Sequence, residues 1–159
     1  METIVRLLKK YGYDLLTWLG ILKSRTEYLE IPKKIFQEMS QRANAAAPAE
    51  TGGFLGGRGL RVLKCYTLTN THRWPTRFFK MGVFERICLA LDMLKNGLKP
   101  LAGWHSHPTA LAIMSKQDLK KAASSDLVEV IVSLISERPI VRAYEAVNGT
   151  AKKVRLKRY

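Results

Sequence analysis

Two histidines one residue apart, His105 and His107, and a carboxylate soon after them, Asp118, are the residues in this chain best suited to hold a metal ion. On an extended strand alternate side chains point to one face, so both imidazoles can reach the same ion. Pro108 then ends the strand. Ser115-Lys116-Gln117-Asp118 has the spacing of a helix start, with a hydroxyl at the cap and a carboxylate three positions on. That turn would aim Asp118 back at the strand end. Two histidines and a carboxylate leave a fourth tetrahedral position for water, the arrangement of a catalytic rather than a structural zinc. Either fragment alone is weak, because strand histidines are often ordinary hydrogen-bonded residues and Ser-x-x-Asp is more often a plain capping box. Together they are far more specific: the chain has only 3 histidines, and two of them sit here at ligand spacing.

The run His-x-His-Pro, six further residues, then Ser-x-x-Asp resembles the signature of the JAMM (MPN-domain) metalloproteases. It is met here by His105, His107, Pro108, Ser115 and Asp118. That family also has a glutamate upstream of a Gly- and Leu-rich strand, and Glu50 in ETGGFLGG matches it. The resemblance runs from about Tyr28 to the C-terminus. It implies an α/β, cytidine-deaminase-like MPN domain, a mixed sheet flanked by helices, with Zn2+ held by His105, His107 and Asp118. It further implies that Glu50 is the general base and that Ser115 donates a hydrogen bond to the oxyanion. The scissile bond would follow the C-terminal glycine of a ubiquitin-like protein. The segments around the motif are short, which suits a compact, prokaryotic type acting on a ubiquitin-like or sulfur-carrier protein. A set of two histidines and one carboxylate can also hold iron or other divalent ions.

Two other classes compete. A non-catalytic MPN scaffold would share the fold, but such scaffolds lose ligands, and here each is present. A basic nucleic-acid-binding module would explain the net charge of +14, yet it gives no reason for the paired histidines and Glu50. The charge suits an acidic partner. A Lys- and Arg-rich surface kept for solubility or heat tolerance accounts for it equally well.

At 159 residues, 47% hydrophobic and 25% charged, the chain is one globular domain long. Cys65 and Cys88 lack CxxC spacing and read as buried thiols of a reducing compartment. No secretory signal or spanning segment is visible, since Arg6, Lys9, Lys10 and Asp14 interrupt the first apolar run. A cytoplasmic protein is expected.

The elements that must position the site follow from periodicity. Ile4, Leu8, Tyr11, Leu15, Trp18 and Leu22 form one helical stripe. Residues 1–27 therefore read as an amphipathic helical extension, covered by the domain itself or by a second copy in a homodimer. Residues 28–159 read as the catalytic domain. Tyr28 to Ile31 is a short strand, and Pro32 opens a helix with Ile35, Met39 and Ala43 on one face. The four glycines of Gly52-Gly53-Phe54-Leu55-Gly56-Gly57 suit a strand that another backbone approaches closely. No Gly-Lys-Ser/Thr follows, so they form no phosphate loop. Arg61 to Thr69 reads as a strand, and residues 70–79 as a loop that keeps His72 out of the site. Residues 82–96 form a helix with Phe84, Ile87, Leu91 and Leu94 facing one way and Gly97 at its end. Lys99 to His107 is the metal strand, and Leu127 to Ile135 reads as a central strand buried on both faces. Asn148-Gly149 joins a hairpin whose last strand, rich in Lys and Arg, is expected to be a protected sheet edge.

Overall fold

The computed structural model describes residues 26–125 and 127–159. The amphipathic stripe read in the first residues, and any pairing of copies through it, lies outside them. The elements run β1 (Tyr28–Ile31), α1 (Lys33–Ala46), β2 (Gly52–Arg58), β3 (Arg61–Leu68), α2 (Val83–Lys95), β4 (Lys99–His107), α3 (Lys116–Ala122), β5 (Val128–Ser133), β6 (Ile140–Val147) and β7 (Thr150–Arg158). No described helix is long and apolar enough to cross a membrane.

The strands pair in the order β1-β3-β2-β4-β5-β6-β7, and β7 returns to β1, closing a barrel. The sheet is mixed. β4 runs parallel to β5, while β2 is antiparallel to both β3 and β4. The expectation that β7 is a sheet edge is corrected: it pairs with β6 on one side and with Tyr28 to Ile31 on the other. Its basic side chains therefore do not guard an open edge. Several lie over aromatic rings instead, Lys157 over Tyr28 and Arg158 over Phe36.

Strand alternation sorts the core into two faces. Ile35, Met39 and Ala43 of α1 pack with Leu55, Trp104, Val128, Val130 and Val132 on one face. On the other face α2 packs Leu89 and Met93 against Phe54, Leu68 and Leu98. Ala122 at the end of α3 meets Ile131 and Tyr144. The face expected for α2 was rotated: Leu89, Ala90 and Met93 are the buried positions, whereas Phe84, Leu91 and Leu94 are exposed. A helix with apolar residues on several sides offers two stripes, and close packing on the glycine strand selected the one containing Met93, which also contacts the space above Gly56. Cys88 lies on that exposed side, so only Cys65 is the buried thiol expected of both.

Gly52 to Gly57 show why β2 is glycine-rich. A Cβ on Gly53 would stand 2.0 Å from the carbonyl oxygen of Tyr66, and one on Gly52 2.3 Å from that of Trp104. The neighbouring strands come too close for side chains. The β6–β7 turn has Asn148 at φ 49 and Gly149 at φ 74, the left-handed pair that a tight hairpin requires.

Candidate metal centre

His105 and His107 end β4, which is hydrogen-bonded between β2 and β5. Their alternation puts both rings on the same face, where they are buried, while Ser106 between them points to the other side and is fully buried. Ser115 caps α3: its Oγ accepts from the Asp118 amide at 3.1 Å, and the Asp118 carboxylate accepts from the Ser115 amide at 2.8 Å. This reciprocal box, expected from the spacing, brings Asp118 back over the end of β4.

The three side chains converge. His105 Nε2 lies 3.1 Å from His107 Nε2, and the two nitrogens lie 3.4 Å from Asp118 Oδ1 and Oδ2 respectively. Two ligand atoms each 2.0–2.1 Å from a tetrahedral zinc are about 3.3 Å apart; the three separations are close to that value, with a different Asp118 oxygen facing each ring. Which nitrogens face the centre is fixed from behind. His105 Nδ1 is 2.7 Å from Glu129 Oε1, and His107 Nδ1 is 2.9 Å from the Leu111 carbonyl. A carboxylate and a carbonyl only accept, so both Nδ1 atoms carry the proton and both Nε2 atoms are turned to the common point. Among the described residues this is the one such grouping of His, Cys, Asp and Glu. The residues present fit a zinc ion.

The electrostatics of the protein groups agree. Burial penalises the charged form of His105, but the hydrogen bonds and charges of Asp118 and Glu129 outweigh it and hold the ring's pKa at about 10. Burial also opposes ionisation of Asp118. Hydrogen bonds from His105 and His107 overcome it and keep that carboxyl far below its ordinary range. Both shifts have the same sense: they favour positive charge beside the Asp118 and Glu129 carboxylates.

Glu50 stands where β2 begins. Its amide donates to the Pro75 carbonyl at 2.7 Å and its carbonyl accepts from Asn70 Nδ2 at 2.9 Å, so the loop after β3 holds its backbone. The next residue is tied to the metal strand: the Thr51 amide donates to Ser106 Oγ at 3.0 Å, and the Ser106 amide donates to the Thr51 carbonyl at 2.7 Å. Glu50 shares a cavity of about 430 Å³ with His107, Ser115 and Asp118. Its pKa is raised, first by burial, with the His105 and His107 charges opposing. The structure therefore brings Glu50, Ser115 and the three candidate ligands to one place. His72 stays apart, packed against Trp74 and Phe78 with its Nδ1 accepting from the Trp74 amide.

Sequence reasoning missed Ser106, Leu111 and Glu129. Glu129 had a visible signal, since it is a charged residue inside the apolar run Val128–Ser133. Ser106 and the Leu111 carbonyl had none.

The family described as prokaryotic homologs of the JAB domain matches residues 32–147. A protein from Desulfitobacterium hafniense with a known solution structure is 30% identical, with a TM-score of 0.75 over 82% of this chain and 92% of that one. A JAB1/MPN domain protein from Archaeoglobus fulgidus is 18% identical, with a TM-score of 0.56 over 81% of this chain and 97% of its own. A structure described as JAMM, a metalloprotease-like zinc site in the proteasome and signalosome, is 17% identical, with a TM-score of 0.52 and coverages of 81% and 97%. These two share the fold. A search of curated proteins returns no match.

Proposed function

The chain belongs to the prokaryotic homologues of the JAB domain, and from that premise we propose that it is a zinc-dependent hydrolase of peptide or isopeptide bonds. The observation that carries the reading is the convergence of the two Nε2 atoms, 3.1 Å apart, on the Asp118 carboxylate, a different oxygen of which lies 3.4 Å from each ring. The zinc site named for one structural neighbour supports zinc as the ion. His105 and His107 would hold it through Nε2 and Asp118 through its carboxylate. A zinc bound by three protein ligands supplies a water molecule acidic enough to yield hydroxide near pH 7.

The chain's own residues do the rest of the work. Glu50, beside the ligands and raised in pKa by burial, takes a proton and returns it to the leaving amine, a role that requires reach and not ligation. Ser115 Oγ already accepts from the Asp118 amide, so its own hydroxyl proton is available for the oxyanion that develops on the scissile carbonyl. Residues 28–159 form the catalytic unit in this proposal. The substrate is a ubiquitin-like or sulfur-carrier protein cut after its C-terminal glycine. The glycine-lined start of β2 beside His105 supports a slender segment there, because Gly53 and Phe54 line a second cavity, of about 420 Å³, that reaches His105 and Asp118.

The test is incubation of the purified protein with ubiquitin-like fusions, with zinc and with chelator, read by intact mass. Cleavage after glycine that the chelator abolishes is the expected result. Stoichiometric zinc with no cleavage of any fusion would leave a binding scaffold and end the enzymatic reading.

A further inference from the structure

We propose that Glu129 is a positioning residue of the metal centre, acting through His105; the inference rests on the zinc-hydrolase reading and goes beyond it. Glu129 sits on β5 opposite Gly103 in the parallel β4–β5 register, while His105 is opposite Ile131. Its side chain therefore rises from the same face as the metal-site rings, one strand over. Its Oε1 lies 2.7 Å from His105 Nδ1, a short, charge-assisted hydrogen bond.

Two consequences follow from this contact. The bond keeps the proton on Nδ1 and so leaves Nε2 as the nitrogen available to an ion. It also increases the basicity of the ring, since a carboxylate behind a ligating histidine strengthens it as a donor. His107 has only the neutral Leu111 carbonyl in the equivalent place. The two histidines are thus unequal, with His105 the stronger and more firmly oriented ligand.

The sequence makes room for this arrangement. A Cβ on Gly103 would stand 2.7 Å from Glu129 Oε2. The atom it would meet is the end of a flexible side chain, so an alanine there fits the strand but displaces the carboxylate. Gly103 is accordingly the space in which Glu129 lies, and the residue pair forms one device.

Three variants test the proposal: Glu129→Ala, Glu129→Gln and Gly103→Ala. The readouts are zinc affinity by competition with a chromophoric chelator and the exchange rate of the His105 Nδ1 proton by NMR, in metal-free and zinc-loaded protein. Wild type should show a slowly exchanging Nδ1 proton in both states. Glu129→Ala should lose that proton signal and bind zinc ~10- to 100-fold more weakly, the usual loss when such a partner is removed. Glu129→Gln keeps a neutral acceptor, so it should retain the proton signal and recover part of the affinity. Gly103→Ala should mimic Glu129→Ala, and adding it to Glu129→Ala should cost nothing further, because the two act on one contact. Wild-type affinity and an unchanged Nδ1 proton in Glu129→Ala would overturn the positioning role while leaving the metal site intact. Absence of zinc binding in wild type would instead overturn the parent reading, and the metal-free proton signal would still decide the Glu129 contact.

Discussion

Gly52→Ala is the substitution that best tests whether the glycine strand shapes the site. The new methyl carbon would lie 2.3 Å from the Trp104 carbonyl oxygen, 2.8 Å from Phe79 Cε1 and 2.9 Å from His105 Cα. Reaching ordinary contact at 3.4 Å requires β2 and β4 to separate by 1.1 Å at that point. Both strands are hydrogen-bonded on their other sides, to β3 and β5, so the movement cannot be shed into solvent. Overpacking of this kind costs about 1–3 kcal/mol, which for a chain of this size lowers the melting temperature by about 2–12 °C. Because a metal site tolerates ligand displacements of only about 0.2 Å, zinc affinity should fall at least ~10-fold. Gly59→Ala is the control: its φ is +58 with nothing within 4 Å, so it should lose about 1–2 kcal/mol through backbone strain and leave zinc affinity unchanged. The assay is thermal unfolding with and without zinc, beside chelator competition. If Gly52→Ala melts lower yet binds zinc like wild type, the claim that Gly52 sets the position of His105 fails.

The remaining expectations concern individual side chains. Purified protein should carry about one zinc per chain, and His107→Ala or Asp118→Ala should lose it, because three protein ligands are what this site offers; full occupancy by elemental analysis in either variant would remove them as ligands. Glu50→Gln should keep zinc and lose ~10²- to 10⁴-fold in turnover, and Ser115→Ala should lose up to ~10²- to 10³-fold with metal retained. Near wild-type cleavage by Glu50→Gln would refute its role as base, and loss of zinc would make it a ligand or an anchor. Burial pushes the Cys65 thiol up to about 12, whereas Cys88 is exposed. A thiol reagent at pH 8 should therefore find one group in the native protein and two after denaturation, and two at once would contradict the packing of α1 on β3.

What could be read from the sequence was what depends on neighbours along the chain. The His-x-His alternation, the Ser115–Asp118 box and the Asn148-Gly149 turn are each settled within a few residues, and all three are found as expected. Helix α1 was legible because Ile35, Met39 and Ala43 are its only continuous apolar stripe. Helix α2 was not, because Leu89, Met93, Leu91 and Leu94 offer two stripes, and only the fit to a glycine strand distant in sequence decides between them. The role of β7 was misjudged for a related reason: edge or interior is a property of how the sheet closes, and a strand rich in Lys and Arg is compatible with either. Glu129 shows the same limit from the other side. Its oddity inside an apolar strand was visible, but its partner His105 depends on the register of two parallel strands, which local patterning does not specify.

Strand β4 joins these features into one mechanical unit. Its one face carries Trp104, in the α1 core, and Ser106, which is hydrogen-bonded to the residue after Glu50. Its other face carries Gly103, His105 and His107, and hence the Glu129 contact and the candidate ligands. Residues that differ by one position therefore serve the core and the site alternately. A shift of the strand by one residue would exchange the two sets, burying imidazoles against α1 and turning Trp104 outward. The packing of Trp104 and the double hydrogen bond between Thr51 and Ser106 thus guard the register on which the metal geometry depends. Substitutions on the α1 side, such as a smaller residue at Trp104, should reach the metal site through this strand although they touch none of its ligands.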